Sequence, residues 1–117
     1  MTIKLDEMAC NCGCGRHKQK MDRQFMAMLR DARRIADVPF VITSGYRCPA
    51  YNKTVGGKKN SAHIRGKAAD IKCTNDEARI YMMQALLDAG FERIGVRKDF
   101  LHVDNDDSLP WPRMWVY

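Results

Sequence analysis

Ser61-Ala62-His63-Ile64-Arg65-Gly66-Lys67-Ala68-Ala69-Asp70, answered by Asp99-Phe100-Leu101-His102-Val103-Asp104, is the stretch on which the chain turns. Two of the three histidines stand within a few residues of aspartates inside short apolar runs. A carboxylate placed in a strand such as Ala68-Ala69-Asp70-Ile71 needs a partner, because an unpaired buried charge costs several kcal/mol or else neutralises. Coordination removes that penalty. His63, Asp70 and His102 supply two imidazoles and a carboxylate, and three protein ligands leave the fourth position of a tetrahedral Zn²⁺ open, as catalytic sites require. Asp99, three residues before His102, is then the candidate base for a water attacking a carbonyl. Asp104 falls on the same side of an extended strand as His102 and can orient that ligand. Ser61 can hydrogen-bond a ligand or a turn, and Gly66 lets the backbone turn between His63 and Asp70. Taken singly, each residue has an ordinary reading: strand histidines more often pack than ligate, and Asp104 can simply end a strand. Together they read as a metallohydrolase.

Outward from this stretch, the pattern predicts a small α+β fold. Phe25, Met28, Leu29, Ala32 and Ile35 recur at helical spacing after a capping Asp22, and Pro39 ends that helix. Phe40-Val41-Ile42-Thr43 reads as a buried strand that delivers Tyr46 and Arg47 to the edge of the site. Residues 49 to 61, with Gly56-Gly57, lysines and asparagines, read as a solvated connection forming one wall of a groove. Lys67 to Lys72 is a strand with Asp70 on the face opposite Ala69 and Ile71. Thr74-Asn75-Asp76-Glu77 has the form of a capping box opening a helix whose Ala78, Tyr81, Met82, Ala85 and Leu86 share a face, closed by Gly90. Arg93 to Val96 and Phe100 to Asp104 form a hairpin about Arg97-Lys98-Asp99. The tail, with Trp111 and Trp115, is expected over the core, with one ring available to the groove.

The two motifs resemble those of the D-Ala-D-Ala carboxypeptidase-like zinc peptidases, a family that includes phage L-alanyl-D-glutamate endopeptidases and shares its metal centre with the hedgehog signalling domain. Members carry Ser-x-His-x-x-Gly-x-Ala-x-Asp followed by Asp-x-x-His, as this chain does at 61 to 70 and 99 to 102. Thr43-Ser44-Gly45-Tyr46-Arg47 resembles the family's Ser-Gly-Tyr-Arg segment, so the likeness covers residues 40 to 104. It implies a single domain over 1–117 with antiparallel sheet and packed helices. It also implies one catalytic Zn²⁺ on His63, Asp70 and His102, Asp99 as base, and Arg47 holding a substrate carbonyl or carboxylate, with Ser61, Tyr46 and Asp104 in support. The implied activity is hydrolysis of peptidoglycan stem peptides, as an L-Ala-D-Glu endopeptidase of the phage endolysin type. D-Ala-D-Ala carboxypeptidase and a non-catalytic wall-peptide or protein binding module are the alternatives. Arg47 has its own argument, since a guanidinium pairs with a carboxylate or an oxyanion through two parallel bonds; alone, it reads as a surface ion pair.

With 117 residues the chain suffices for one core and not for a second folded module. Its start lacks a secretion-signal pattern and no run of about 18 apolar residues occurs. The expectation is a monomer made in the cytoplasm, without membrane insertion, that reaches the wall after release to the periplasm. The net charge of +6, with Lys53, Lys58, Lys59, Arg65 and Lys67 around the first ligand loop, favours anionic polymers. No nucleic-acid motif accompanies it. Five cysteines cannot all pair within one molecule, which suits a reducing compartment. Cys10-Asn11-Cys12-Gly13-Cys14 invites a structural metal, but the spacing departs from the usual Cys-x-x-Cys, and reduced thiols in a turn are the expectation. A disulfide from this cluster to Cys48 is the other option. Residues 1 to 20 are expected as an extended, late-packing arm, with His17 exposed.

Overall fold

The computed structural model describes residues 3–117. Its strands are β1 (Ile42–Ser44), β2 (Ala68–Lys72), β3 (Arg93–Val96), β4 (Phe100–Asp104) and β5 (Arg113–Val116), and its helices α1 (His17–Lys20), α2 (Arg23–Ala36), α3 (Pro49–Thr54) and α4 (Asp76–Asp88), preceded by a 3₁₀ turn at Leu5–Met8. The sheet order is β1-β2-β4-β3-β5; only the outer pair, β5 on β3, is parallel.

Strand alternation divides this sheet into two faces. Ala69 and Ile71 of β2, Leu101 and Val103 of β4 and Ile94 of β3 are buried in the hydrophobic core with Phe25, Leu29 and Ala32 of α2 and Met82, Ala85 and Leu86 of α4. Full burial of a Phe or Leu side chain stabilises by about 1.5–3 kcal/mol, so the helix-covered face anchors the fold. The other face is left to Asp70, His102 and Asp104, with Asp70 directly opposite His102 and Ala68 opposite Asp104.

Helix α2 begins where Asp22 accepts a 2.8 Å hydrogen bond from Phe25 N, and ends at Asp37 in the left-handed conformation, two residues before Pro39. Ile35 faces outward, and Met26 and Ala36 are buried in its stead. Asn75, not Thr74, caps α4, accepting from Ala78 N at 3.0 Å, and Tyr81 is exposed. The β3–β4 hairpin forms about Arg97–Asp99 as expected.

Four expectations are corrected. The segment after Cys48 is not a solvated connection throughout: Pro49 opens α3, where its missing N–H is harmless, and buried Asn52 donates to Lys58 O at 3.0 Å. The amino-terminal arm is not peripheral. Ile3 and Met8 are fully buried in the core, Met8 O accepts from Tyr46 N at 2.9 Å, and Arg30 Nε donates to Ile3 O at 2.9 Å. His17 is buried, with Nε2 2.8 Å from Asp6 Oδ1. A polar sequence neighbourhood concealed that tertiary contact. The tail also does more than lie over the core, because it adds β5 to the sheet edge.

Candidate metal centre

Each half of the centre is held by local structure. The loop from Ser61 to Gly66 is a chain of turns in which Ser61 Oγ accepts from His63 N at 3.2 Å and Gly66, at φ +70°, passes into β2. A side chain on Gly66 would meet the backbone of Lys20 and Met21. Arg65 pairs with Asp106, itself almost fully buried, which ties the loop to the segment after β4. His63 O accepts from Arg47 N at 3.2 Å. Asp70 and His102 come from the facing positions of β2 and β4, so hydrogen-bonded register sets their separation.

Hydrogen bonding fixes which nitrogen of each ring is free. His63 Nδ1 lies 2.7 Å from Gly45 O, a carbonyl that can only accept, so Nδ1 carries the hydrogen. Nε2 is left with a lone pair, buried and without a hydrogen-bond partner, 3.4 Å from Asp70 Oδ1. His102 Nε2 lies 2.7 Å from Asp104 Oδ2 and donates to it, turning Nδ1 towards the same Asp70 oxygen at 3.0 Å. The ring centroids are 5.2 Å apart, and one ligand atom from each of His63, Asp70 and His102 lies within 4.8 Å of the others.

Two imidazole nitrogens aimed at one carboxylate are repulsive unless a proton or a cation lies among them. Their approach leaves the mark of that demand on the ionisation. Burial alone would raise the Asp70 carboxyl, but the imidazoles of His102 and then His63 beside it outweigh burial and hold it well below the usual carboxylate range. Burial alone would lower the His102 imidazole, and its bonds to Asp104 and then Asp70 push it up instead. The donor set, two nitrogens and one carboxylate oxygen, suits Zn²⁺, and the orphaned His63 Nε2 supplies the missing contact's address. Asp104 completes the support by receiving His102 on Oδ2 while Oδ1 accepts from Arg93 Nε at 2.8 Å and from Asp106 N at 3.1 Å.

A sequence profile of the peptidase M15 family matches residues 1–104. The chain belongs to the peptidase M15 family. No curated protein matches it in sequence. The family is one of zinc-dependent peptidases acting on peptidoglycan, and the structure offers it a possible metal-binding group in His63, Asp70 and His102.

Other residues singled out in the sequence sit at varied distances from this centre. Asp99 stands at the hairpin turn, half exposed, its carboxylate 3.3 Å from Arg97 Nε rather than bonded to either histidine. Arg47 is half buried, with Nε sealed from water and unpartnered. Tyr46, expected at the edge of the site in support, is 2% exposed and packs against Cys10 and Cys48.

The peptidase M15 match stops at Asp104, and the aromatic wall of the centre lies beyond it. Trp115 packs with its ring centroid 5.5 Å from that of His102, beneath the Arg93 guanidinium at 5.0 Å. Gly95 is bare because a Cβ there would touch the indole at 2.6 Å. Tyr117 packs on Phe100 at 5.4 Å; burial first, and then the nearby Asp70 and Asp104 charges, push its phenol up against the opposing effects of Trp115 and Arg47. The apolar run Met114-Trp115-Val116 was one hint of a strand there.

Proposed function

We propose that this peptidase M15 chain hydrolyses the stem peptides of peptidoglycan at the L-Ala-D-Glu bond, as an endolysin of the phage type. The carrying observation is the buried, unpartnered His63 Nε2 facing Asp70 and His102, a donor set with room for one cation and an open position. His63, Asp70 and His102 would hold Zn²⁺, whose chemistry is Lewis acidity towards a peptide carbonyl and towards water, lowering the pKa of the latter to ~7.

The chain's own groups do the rest. Asp99 takes a proton from the attacking water and returns it to the departing amine; its half-exposed position on the turn leaves its carboxylate open to that water. Arg47 holds the substrate carbonyl as negative charge develops on its oxygen, a role supported by the unsatisfied Nε. Trp115 shields one side of His102 from solvent. The net charge of +6 draws the protein towards the anionic wall. No helix of the described residues is long and apolar enough to cross a membrane. Synthesis in the cytoplasm and release to the periplasm complete the reading.

Digestion of purified Gram-negative peptidoglycan by the zinc-loaded protein, with and without chelator, and mass analysis of the new termini is the test. Fragments with amino-terminal D-Glu, absent with chelator, are expected. Free D-Ala would instead make the chain a D-Ala-D-Ala carboxypeptidase, and an intact wall despite bound zinc would make it a binding module.

A further inference from the structure

We propose that Cys10, Cys12, Cys14 and Cys48 form a second, structural Zn²⁺ site, a closed tetrathiolate that fastens the amino-terminal arm to the segment presenting the catalytic residues. One sulfur from each lies within 4.8 Å of the others. Cys10 Sγ is 3.3 Å from Cys12 Sγ, and Cys12 Sγ is 3.6 Å from Cys48 Sγ. A tetrahedron with Zn–S arms of ~2.3 Å has edges of about 3.8 Å, so the sulfurs already stand close to ligand spacing.

Backbone groups orient two of the sulfurs. Cys48 N donates to Cys10 Sγ at 3.4 Å and Tyr51 N donates to Cys48 Sγ at 3.4 Å, so the two buried sulfurs each receive an N–H. Such bonds fix a sulfur's direction, as the groups around a metal ligand do. Gly13 N closes a turn onto Cys10 O at 2.9 Å, which bends the chain so that Cys12 and Cys14 return towards Cys10. Those two are exposed, giving an ion a path in. All five cysteines are free, and Cys73, bonded to Asn75 O at 3.8 Å, stands apart from the cluster. A disulfide between any two of the four would leave the other two thiols crowded against it; one Zn²⁺ engages all four, releasing their protons to solvent. Four sulfur ligands leave no position for water, so the site is structural.

Its location gives the site a task. Cys48 ends the run Gly45-Tyr46-Arg47-Cys48, in which Gly45 O fixes the His63 tautomer and Arg47 faces the proposed substrate. The arm reaches the same run through Met8 O and Tyr46 N. The second ion therefore holds the frame of the first, without depending on the peptidase reading.

Zinc content by native mass spectrometry, with the spectrum of the Co²⁺ form, tests this on the full chain purified under reducing conditions. The wild type is expected to hold two ions. His63→Ala should hold one and, as the Co²⁺ form, show an intense sulfur-to-cobalt charge-transfer band; Cys12→Ser/Cys14→Ser should lack that band. In zinc-loaded wild type, exposed Cys12 and Cys14 should resist iodoacetamide and become reactive with chelator. A wild type with one ion and no sulfur-to-cobalt band, or a disulfide within the cluster after purification, would overturn the proposal. Should either variant fail to fold, the wild-type band and alkylation pattern decide alone.

Discussion

Asp104 binds His102 Nε2 with one oxygen and Arg93 Nε with the other, at 2.7 and 2.8 Å, and is itself almost fully buried. The pair thereby sets both the orientation and the tautomer of a proposed zinc ligand. Asp104→Asn keeps the shape but weakens the acceptor. Zinc affinity, measured by competition with a chromophoric chelator, should fall about 10–100-fold. Unaltered affinity would show that His102 is oriented by strand geometry alone.

Asp99 makes no bond to the ligand triad, so its removal should separate binding from turnover. Asp99→Ala is expected to retain zinc and its circular dichroism spectrum while losing about 10²–10⁴-fold in kcat on stem peptides. Because the carboxylate pairs with Arg97, Arg97→Ala is the companion variant, with zinc content unchanged. Full activity in Asp99→Ala would move the base elsewhere.

Arg47 carries a buried Nε with no partner. Arg47→Lys keeps the charge and abolishes the two-pronged contact, and should lower kcat/KM by about 10²-fold with zinc content unchanged. A stability change without a kinetic one would return Arg47 to a packing role.

Asp106 lends the Ser61–Gly66 loop a pH dependence. Burial works to raise its carboxyl, but hydrogen bonds from Ser108 and Arg65 prevail and hold it below the ordinary range of an aspartate. Between the lowered folded value and the unfolded one, the unfolded chain binds more protons, so stability rises with pH there. The contribution is complete above the unfolded value and lost as pH falls through the folded one. Asp106→Asn should cost about 1.5–3 kcal/mol at neutral pH and flatten the acid limb of a denaturant-unfolding series. Parallel limbs in the two proteins would contradict the assignment.

The grouping of His63, Asp70 and His102 was legible because the determining information is local. Alternation along Ala68–Lys72 and Phe100–Asp104 forces Asp70 and His102 onto the face opposite Ile71 and Leu101, whatever the rest of the chain does. Cys48 gave no such signal, since its approach to Cys10–Cys14 is made by a fold that joins residues 36 and 38 apart. His17 looked exposed because its partner, Asp6, lies across a turn. Trp115 was obscured for a similar reason: parallel pairing to β3 is long-range, and its best local sign was a bare Gly95 on another strand. At Pro49, glycines and lysines downstream outweighed a good helix-opening residue, and the short α3 went unread.

Asp70 and His102 are directly opposed across the central strand pair. A one-residue slip of β2 against β4 would turn Asp70 to the apolar side and bring Ile71 into its place. Zinc held by this set would bind strongly only to the chain whose strands are aligned correctly, and binding weights the native population by mass action. The ion would thus act as a proofreader of sheet alignment, rejecting misregistered chains before any substrate is met.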